Sequence, residues 1–192
     1  MQCPSRASVV IVGGGIAGCS IAYHLTKLGW KDVLLLERHQ LTSGTSWHAA
    51  GIVGPLRATA AMTQLASHAL TLLPALEAET GMSTGYRRTG GYWLARVPER
   101  MDELRRICAV GRHMGLTPSM VTPQEVSIKQ LDLHRHVGAL KVPEDANVNP
   151  VDLCMAYARG ARNRGVSIRE GVEVRRIVVK DGRAGGVVLA DG

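Results

Sequence analysis

The chain has 192 residues, of which 45% are hydrophobic and 4% are aromatic. This length corresponds to about one ordinary domain, and the composition is typical of a globular protein and excludes a disordered one. The formal net charge is +7, but the basic residues are scattered as Arg-Arg pairs without interleaved aromatic residues. A solvated surface is therefore favoured over a nucleic-acid-binding face.

Cysteine usage and hydropathy narrow the class further. The four cysteines lie far apart and form no CxxC motif, so neither a zinc site nor a disulfide framework is indicated, and a reducing compartment fits best. No stretch approaches the ~20 apolar residues of a membrane span, and the first predicted strand begins too near Met1 for a cleavable targeting segment. We expect a cytoplasmic location. The closely spaced His134 and His136 are interpreted as part of an exposed loop and not as a metal site.

The chain opens on a predicted strand, a glycine turn and a helix. The β-branched run Val9-Val10-Ile11-Val12 precedes Gly13-Gly14-Gly15-Ile16-Ala17-Gly18, and a helical pattern comes next. In such a turn Gly13 allows the tight reversal, Gly15 lets the backbone approach a pyrophosphate, and Gly18 lets helix and strand pack closely. Free N–H groups at the start of the helix would face the anion.

The second predicted strand, Val33-Leu34-Leu35-Leu36-Glu37, ends on an acidic residue. Glu37 follows the glycines by roughly 20 positions, where a ribose hydroxyl would need an acceptor. Strand, helix, second strand and terminal Glu37 in register predict a dinucleotide-binding unit. The alternative is a glycine-rich turn that binds no ligand.

The tract Thr42-Ser43-Gly44-Thr45-Ser46-Trp47-His48-Ala49-Ala50-Gly51 places one histidine just downstream of this pattern. Imidazole is a nucleophile near physiological pH, although a lone histidine after small residues is more often a surface or capping residue. Trp47 taken alone is interpreted as a core residue. The small polar residues before it would present N–H and hydroxyl groups to a ligand, and a polar loop without a ligand would have the same composition.

Helices and one strand are predicted in the middle of the chain. Apolar residues at helical spacing predict an amphipathic helix over about 59–80, kinked or interrupted at Pro74 and ended by Gly81. A strand over 90–95, entered through a glycine pair, and a surface helix over 99–114 follow.

Two tracts have the sequence pattern of a helix start. Thr122 precedes Pro123, and Glu125 completes a capping box. Asn149 begins a second such tract, which opens a helix that Gly165 should end.

The last predicted elements are strands. Residues 166–169, which follow a helix, suit a third parallel strand, and residues 173–180 and 184–189 suit a small antiparallel meander with its turn at Asp181-Gly182. Asp191-Gly192 is a further hairpin signal without a following strand. We therefore expect an unfinished sheet and an incomplete enzyme.

The sequence resembles the FAD-dependent amine oxidoreductases of the sarcosine dehydrogenase and dimethylglycine dehydrogenase family, over essentially all of its length. The resemblance rests on Val-Gly-Gly-Gly-Ile-Ala-Gly at 12–18, Leu-Leu-Glu-Arg at 35–38, Leu-Thr-Ser-Gly-Thr-Ser-Trp-His-Ala-Ala-Gly at 41–51, Glu-Thr-Gly at 79–81, Gly-Gly-Tyr-Trp-Leu-Ala at 90–95 and Pro-Glu-Asp-Ala-Asn-Val-Asn-Pro at 143–150. The Trp-His-Ala-Ala-Gly tract is the most specific of these.

The resemblance implies an α/β fold with a Rossmann-like FAD-binding domain of the glutathione-reductase type, in which a parallel sheet is joined by an antiparallel meander. It also implies the start of an inserted substrate domain, truncated. The implied divisions are 1–58 for the first part of the FAD-binding domain with the flavin-attachment loop, 59–148 for a helical segment and the beginning of the substrate-side insertion, and 149–192 for the incomplete continuation.

The resemblance further implies FAD bonded through His48, from an imidazole nitrogen to the 8α methyl carbon of the flavin. The other implied cofactor-binding residues are Gly13, Gly15, Gly18, Glu37, Arg38, Ser43, Gly44, Thr45, Ser46, Gly51 and Val174, the last at a position where related flavoproteins hold the adenine with main-chain groups. Catalytic and substrate-contacting residues are expected beyond residue 192. A folate-binding domain, with tetrahydrofolate as a second cofactor, is expected there as well.

The implied activity is oxidation of an N-methylated glycine, sarcosine or dimethylglycine, at its CH–NH group to an iminium. Formaldehyde or methylene-folate would carry the carbon into one-carbon metabolism, and an electron-transfer flavoprotein or oxygen would accept the electrons. A eukaryotic member would lie in the mitochondrial matrix. The fragment alone is expected neither to close its FAD site nor to turn over.

Three alternatives stay open. One is a related amine or amino-acid oxidase with non-covalent FAD. Another is a non-enzymatic regulatory subunit, since a phosphatase-regulating mitochondrial protein shares this architecture, although retention of His48 in its full tract argues against it. The third is a plain NAD-binding module, which the long insertion between the second and third parallel strands disfavours.

Overall fold

The computed structural model describes residues 3–128 and 132–191. In chain order the strands and helices are β1 (Val9–Val12), α1 (Ile16–Lys27), β2 (Val33–Glu37), β3 (Ile52–Val53), α2 (Ala60–Ser67), α3 (Ala69–Thr80), β4 (Gly91–Ala95), α4 (Pro98–His113), β5 (Ser119–Val121), β6 (Gly138–Val142), β7 (Ala146–Asn147), α5 (Pro150–Asn163), β8 (Ser167–Glu170), β9 (Val174–Lys180) and β10 (Arg183–Leu189). They form two compact units. The first takes its described residues from Met1–Ala50, Leu76–Gly85 and Asn149–Gly192, and the second from Gly51–Ala75 and Tyr86–Val148.

A parallel sheet with the strand order β1-β2-β8 forms the centre of the first unit. The apolar run of β2 is buried, with Leu35 fully enclosed, as is typical of a parallel strand covered on both faces. Helices α1 and α5 pack against each other. Close packing at this contact requires Gly160, because a Cβ there would lie 2.7 Å from Cδ2 of Tyr23. The predicted α/β fold and its third parallel strand are confirmed.

The predicted antiparallel element is also confirmed. Strands β9 and β10 pair antiparallel, and Asp181 and Gly182 between them have φ values of 50° and 73°. Positive φ at both central residues is the geometry of the tight turns that match the twist of a hairpin. The Asp191-Gly192 signal extends beyond the described residues.

Helix α5 begins and ends as its sequence predicts. The side-chain oxygen of Asn149 accepts hydrogen bonds from the N–H groups of Val151 at 3.0 Å and Asp152 at 3.2 Å, which supplies the N-cap. Gly165, with φ of 93°, adopts the left-handed conformation that commonly follows a helix.

The second unit is built on an antiparallel sheet with the strand order β4-β6-β5, and β3 pairs with β7. Helix α4 packs against the three-stranded sheet, and the predicted strand and helix of this region are present. The apolar cluster beneath them consists of Leu56, Ala95, Leu104, Ile107, Cys108, Leu116, Leu140 and Val142. Burying this cluster supplies the main favourable term for folding of the unit.

The predicted single helix over 59–80 is wrong in one respect. Two helices, α2 and α3, divide at His68, and Pro74 lies inside α3 without ending it. A proline ring crowds the carbonyl groups of the preceding turn and lacks an N–H group, so the interruption falls before Pro74 and not at it. Gly81, with φ of 64°, follows the helix as predicted.

Two further predictions need correction. The Glu125 carboxylate accepts from both the N–H and the hydroxyl of Thr122, at 2.7 and 2.8 Å, but only a 3₁₀ turn over Pro123–Glu125 follows, because Val126 is extended. His136 is buried, and its Nδ1 lies 2.9 Å from the carbonyl oxygen of Asp132. His134 is exposed, as predicted.

Within residues 3–128 and 132–191, no helix combines the length and the hydropathy that a bilayer crossing requires. In the same residues no three His, Cys, Asp or Glu side chains are grouped so that they could hold a metal ion.

Candidate dinucleotide-binding site

The glycine loop, residues 13–18, connects β1 to α1 in the first unit. Gly13 has φ of +108°, a conformation that a residue with a Cβ adopts only under strain, and its N–H donates to the carbonyl of Leu36 at 2.8 Å. A Cβ on Gly18 would lie 2.0 Å from the carbonyl oxygen of Gly13. Both positions therefore require glycine for the strand and the helix to approach this closely.

The start of α1 leaves backbone donors available. The N–H of Ile16 donates to the hydroxyl oxygen of Ser46 at 2.9 Å, and a Cβ on Gly15 would lie 3.1 Å from that oxygen. The N–H groups of Gly15 and Ala17 have no hydrogen-bond partner in the part of the chain that is described. Unpartnered N–H groups at a helix N-terminus are a general site for phosphate.

Glu37 lies at the end of β2 beside this loop. Its carboxylate accepts from the N–H of Gly14 at 2.6 Å and from the N–H of His39 at 2.8 Å. Each carboxylate oxygen has a second lone pair, so the group retains capacity to accept from a ligand hydroxyl. Glu37, Arg38 and Val174 line one cavity of about 260 Å³ next to Gly13. The structure thus brings these sequence-predicted residues together.

Ser46–His48 form a 3₁₀ turn, called the His48 turn below. Ser46 is buried and bound to Ile16, whereas His48 is exposed and its imidazole makes no hydrogen bond within the described residues. Trp47 is 59% exposed, so the interpretation of Trp47 as a core residue is wrong. The reason is that Ser46 makes the inward contact of the turn, which leaves the next two side chains outside.

The remaining predicted site residues make no hydrogen bond to the glycine loop among the described residues. Ser43, Gly44 and Thr45 are exposed, and the N–H of Ser43 donates to the carbonyl of Gln40 at 3.2 Å. Gly51 belongs to the second unit, where it has φ of 72° and its carbonyl accepts from the N–H of Val148 at 2.8 Å.

Gly14 has a role that sequence reasoning missed, although it stands in the middle of the glycine run. A Cβ on Gly14 would lie 2.5 Å from Cδ2 of Leu41 and 2.9 Å from Cβ of Glu37. The missing side chain allows the N–H of Gly14 to reach the Glu37 carboxylate. The signal available in the sequence was the uninterrupted run of three glycines.

The carbonyl oxygen of Gly14 gathers three donors. It accepts from the N–H of Thr42 at 3.1 Å and from the thiols of Cys19 at 3.6 Å and Cys154 at 3.7 Å. A hydrogen bond with the Cys154 thiol and burial raise the pKa of Cys19, which keeps this sulfur a neutral thiol. These two cysteines are distant in the sequence, and only the packing of α1 on α5 brings them together.

Polar groups of the second unit are arranged differently. Asp145 is 6% exposed and one of its oxygens accepts from Nε1 of Trp93 at 3.3 Å, but Oδ1 has no partner among the described residues. Cβ atoms on Gly54 and Gly91 would lie 2.8 and 2.5 Å from its two oxygens. Burial raises the pKa of Asp145, and the Trp93 hydrogen bond and the charge of Arg57 only partly oppose this.

Glu144, the preceding residue, is also buried. Its Oε1 accepts from the N–H and hydroxyl of Thr117 at 2.9 and 2.6 Å and lies 3.7 Å from a guanidinium nitrogen of Arg88. Its Oε2 has no partner within the described ranges. An acidic pair after a proline has the composition of a surface turn, so the sequence carried no signal for this burial.

Comparison with known proteins identifies the family. The family model for FAD dependent oxidoreductases matches residues 8–192. The chain belongs to the FAD-dependent oxidoreductases. FAD is therefore the dinucleotide that a binding site in this family has to accommodate.

Curated relatives match most of the chain. The regulatory subunit of pyruvate dehydrogenase phosphatase, mitochondrial, from Mus musculus is 39% identical over 96% of the chain and 21% of its own length. Sarcosine dehydrogenase, mitochondrial, from Homo sapiens is 37% identical over 92% of the chain and 20% of its own length. The chain thus spans about a fifth of the length of these relatives.

A solved structure has the same fold. The crystal structure of L-proline dehydrogenase from P. horikoshii superposes with a TM-score of 0.91 over 99% of this chain and 50% of the other, at 24% identity. The likeness at this identity concerns the fold alone.

The first unit fits FAD on two independent observations. The glycine loop carries no side chain at positions 13, 14, 15 and 18, so a ligand can come close to its backbone. The N–H groups of Gly15 and Ala17 have no described partner. The cavity lined by Glu37, Arg38 and Val174 adjoins this loop, as an adenosine linked to a bound pyrophosphate requires.

Proposed function

We propose that this flavoprotein sequence binds FAD at the glycine loop, holds it covalently through His48, and serves in the oxidation of an N-methylated glycine. The observation that carries the proposal is the His48 turn itself. The N–H of Ile16 donates to the hydroxyl oxygen of Ser46, which fixes the turn to the start of α1. The side chains that follow in the turn include an exposed imidazole that makes no hydrogen bond in the described part of the chain.

Each cofactor contact follows from a group already described. The N–H groups of Gly15 and Ala17 bind the pyrophosphate, and the Glu37 carboxylate accepts from the ribose hydroxyls. Arg38 and Val174 form walls of the adenine cavity. The other proposed contacts, by analogy with the family, come from Gly13, Gly18, Ser43, Gly44, Thr45, Ser46 and Gly51.

His48 supplies the covalent attachment. No described group occupies either nitrogen of its ring, and imidazole is a competent nucleophile at physiological pH. The bond joins an imidazole nitrogen to the 8α methyl carbon of the flavin. The bound flavin supplies the hydride acceptor of the reaction.

The proposed substrate is sarcosine or dimethylglycine, oxidised at its CH–NH group, with formaldehyde or methylene-folate as the carbon product. Similarity to human sarcosine dehydrogenase at 37% identity supports this class. The proposed electron acceptors are an electron-transfer flavoprotein or oxygen, and a tetrahydrofolate-binding domain is proposed for the whole enzyme. No described residue is assigned a catalytic role.

A second candidate function is regulation without turnover. It is supported by the 39% identity to the mouse phosphatase regulatory subunit. That candidate predicts no oxidation of any N-methyl amine by the full protein. Reduction of its flavin by sarcosine or by dimethylglycine, followed in the visible spectrum without oxygen, decides between the two candidates.

The cofactor proposal is tested by acid precipitation of protein made from the longest available reading frame and supplied with FAD. Flavin colour and fluorescence should stay with the polypeptide and should be lost from it in His48→Ala. Flavin released into the supernatant from the unsubstituted protein would contradict the covalent link. Absence of any bound flavin would contradict FAD binding altogether.

A further inference from the structure

The exposed indole of Trp47 has no role in the function proposed above. Its side chain is 59% exposed, although a tryptophan usually buries most of its large apolar surface. Its ring centroid lies 3.8 Å from that of the adjacent His48, with the two planes 68° apart in an edge-to-face arrangement. Among the described residues, the aromatic ring that the indole contacts is thus the imidazole of the neighbouring histidine.

The backbone that carries the two rings is held in place. The N–H of Ile16 donates to the Ser46 hydroxyl at 2.9 Å, the N–H of His48 donates to the carbonyl of Thr45 at 3.2 Å, and α5 packs against the turn. The directions of the indole and the imidazole are therefore set by one fixed 3₁₀ turn. What stays adjustable is the rotation of each ring about its side-chain bonds.

Reactive histidines are ordinarily oriented by a hydrogen bond to one ring nitrogen, which fixes both the tautomer and the ring plane. The imidazole of His48 has no such bond in the described residues, whereas the indole of Trp47 lies edge-to-face against it. An edge-to-face aromatic contact favours one relative orientation of the two rings.

We propose that Trp47 is the positioning residue for flavin attachment, because its indole holds the His48 imidazole in the orientation from which a ring nitrogen reaches the flavin methyl carbon. This inference rests on the covalent link proposed above. Attachment forms one N–C bond, and the imidazole N–H and the methyl C–H each lose a proton. The electron pair of the broken methyl C–H bond and the two released protons reduce the flavin. Molecular oxygen then reoxidises the flavin and becomes hydrogen peroxide.

The proposal separates the rate of attachment from the affinity for FAD. Trp47→Ala should slow covalent incorporation about tenfold at saturating FAD, since loss of orientation in a two-centre reaction is costly to rate. Trp47→Phe, which keeps an aromatic ring, should restore most of that rate. Trp30→Ala is the matched control, because Trp30 is 50% exposed and lies outside the His48 turn.

The experiment uses the protein from its longest reading frame, prepared without flavin and mixed with FAD under air. Acid-precipitated samples taken over time give the attachment rate, and quenching of flavin fluorescence in a His48→Ala background gives the non-covalent dissociation constant. The expected result is a tenfold slower rate in Trp47→Ala with the dissociation constant changed less than about twofold.

An unchanged rate in Trp47→Ala overturns the positioning role and leaves the covalent link standing. An equal loss of rate and affinity, or the same loss in Trp30→Ala, also overturns it, since a general structural defect would then explain the effect. If the unsubstituted protein binds FAD and never attaches it, the covalent link proposed for His48 fails and this inference fails with it.

Discussion

The glycine loop of the first unit and the acidic pair of the second unit, Glu144 and Asp145, both place polar groups at tightly packed positions. The two regions differ in how the hydrogen-bonding capacity of these groups is used. In the loop, the N–H groups of Gly14 and Ile16 have protein partners, and those of Gly15 and Ala17 have none among the described residues. In the second unit, Glu144 and Asp145 are buried, and each has one oxygen without a described partner.

Because of this difference, the two units should change in stability under different conditions. A ligand that binds only the folded state stabilises it by mass action, so the first unit should gain stability from FAD. A buried carboxylate oxygen without a partner costs about 1–3 kcal/mol, and that cost depends on ionisation. The second unit should therefore respond to pH.

The largest expected effect comes from adding one methyl group to the loop. Gly18→Ala would place a Cβ 2.0 Å from the Gly13 carbonyl oxygen, so strand and helix cannot keep their packing. We expect FAD binding to be lost and the free energy of unfolding to fall by about 3 kcal/mol or more. Urea unfolding and flavin fluorescence measure the two quantities.

Gly185→Ala is the matched control for this substitution. Gly185 has ordinary φ, the nearest atom to a Cβ placed there is 3.9 Å away, and it is not a proposed FAD contact, so we expect stability and FAD affinity close to those of the unsubstituted protein. A comparable loss in both variants would show that the loop does not have the steric requirement described for Gly18.

A smaller effect is expected from Glu37→Ala. The substitution removes the acceptor of the Gly14 N–H and the proposed acceptor of the ribose hydroxyls. Loss of one such interaction corresponds to about a tenfold weaker dissociation constant for FAD, measured in a His48→Ala background so that binding stays reversible. Glu37→Gln keeps an acceptor oxygen and should lose less. Equal affinity in all three proteins would place the dinucleotide elsewhere.

The smallest expected effect tests the second unit through Asp145→Asn. The pKa of Asp145 is raised in the folded state by burial, so the stability from this group is complete below the pKa of the unfolded chain and is lost as pH rises through the raised folded pKa. The variant cannot ionise there and should gain on the order of 1 kcal/mol relative to the native protein between acidic and neutral pH.

Urea midpoints across that pH range measure the difference between the variant and the native protein. Asp181→Asn is the control, because Asp181 is exposed and has φ of 50°, a conformation that asparagine tolerates equally. A pH-independent difference for Asp145→Asn would contradict the assigned cost of ionisation.

Elements whose signals are local were predictable from the sequence. The turn from β1 to α1 depends on neighbouring residues, since Gly13 and Gly18 contact each other across the loop, and the Asn149 cap lies within three residues of its donors. Such features are encoded by spacing.

Features that depend on residues distant in the chain were not predictable. The burial of Asp145 depends on the glycine positions 54 and 91, and the shared contact of Cys19 and Cys154 at Gly14 depends on the packing of α1 with α5. The prediction that Trp47 is a core residue rests on its apolar side chain alone. It is wrong because Ser46 takes the inward position of the turn.

The most direct test of the account is to locate the flavin on the peptide chain. Trypsin should release residues 39–57 as one fragment, since Arg38 and Arg57 bound a stretch without other lysine or arginine. In the FAD-loaded protein from the longest reading frame, mass spectrometry should find this fragment carrying one flavin on His48. A flavin-free fragment 39–57 alongside a flavin bonded to another peptide would contradict the assignment of His48, and flavin found only free in solution would contradict covalent attachment.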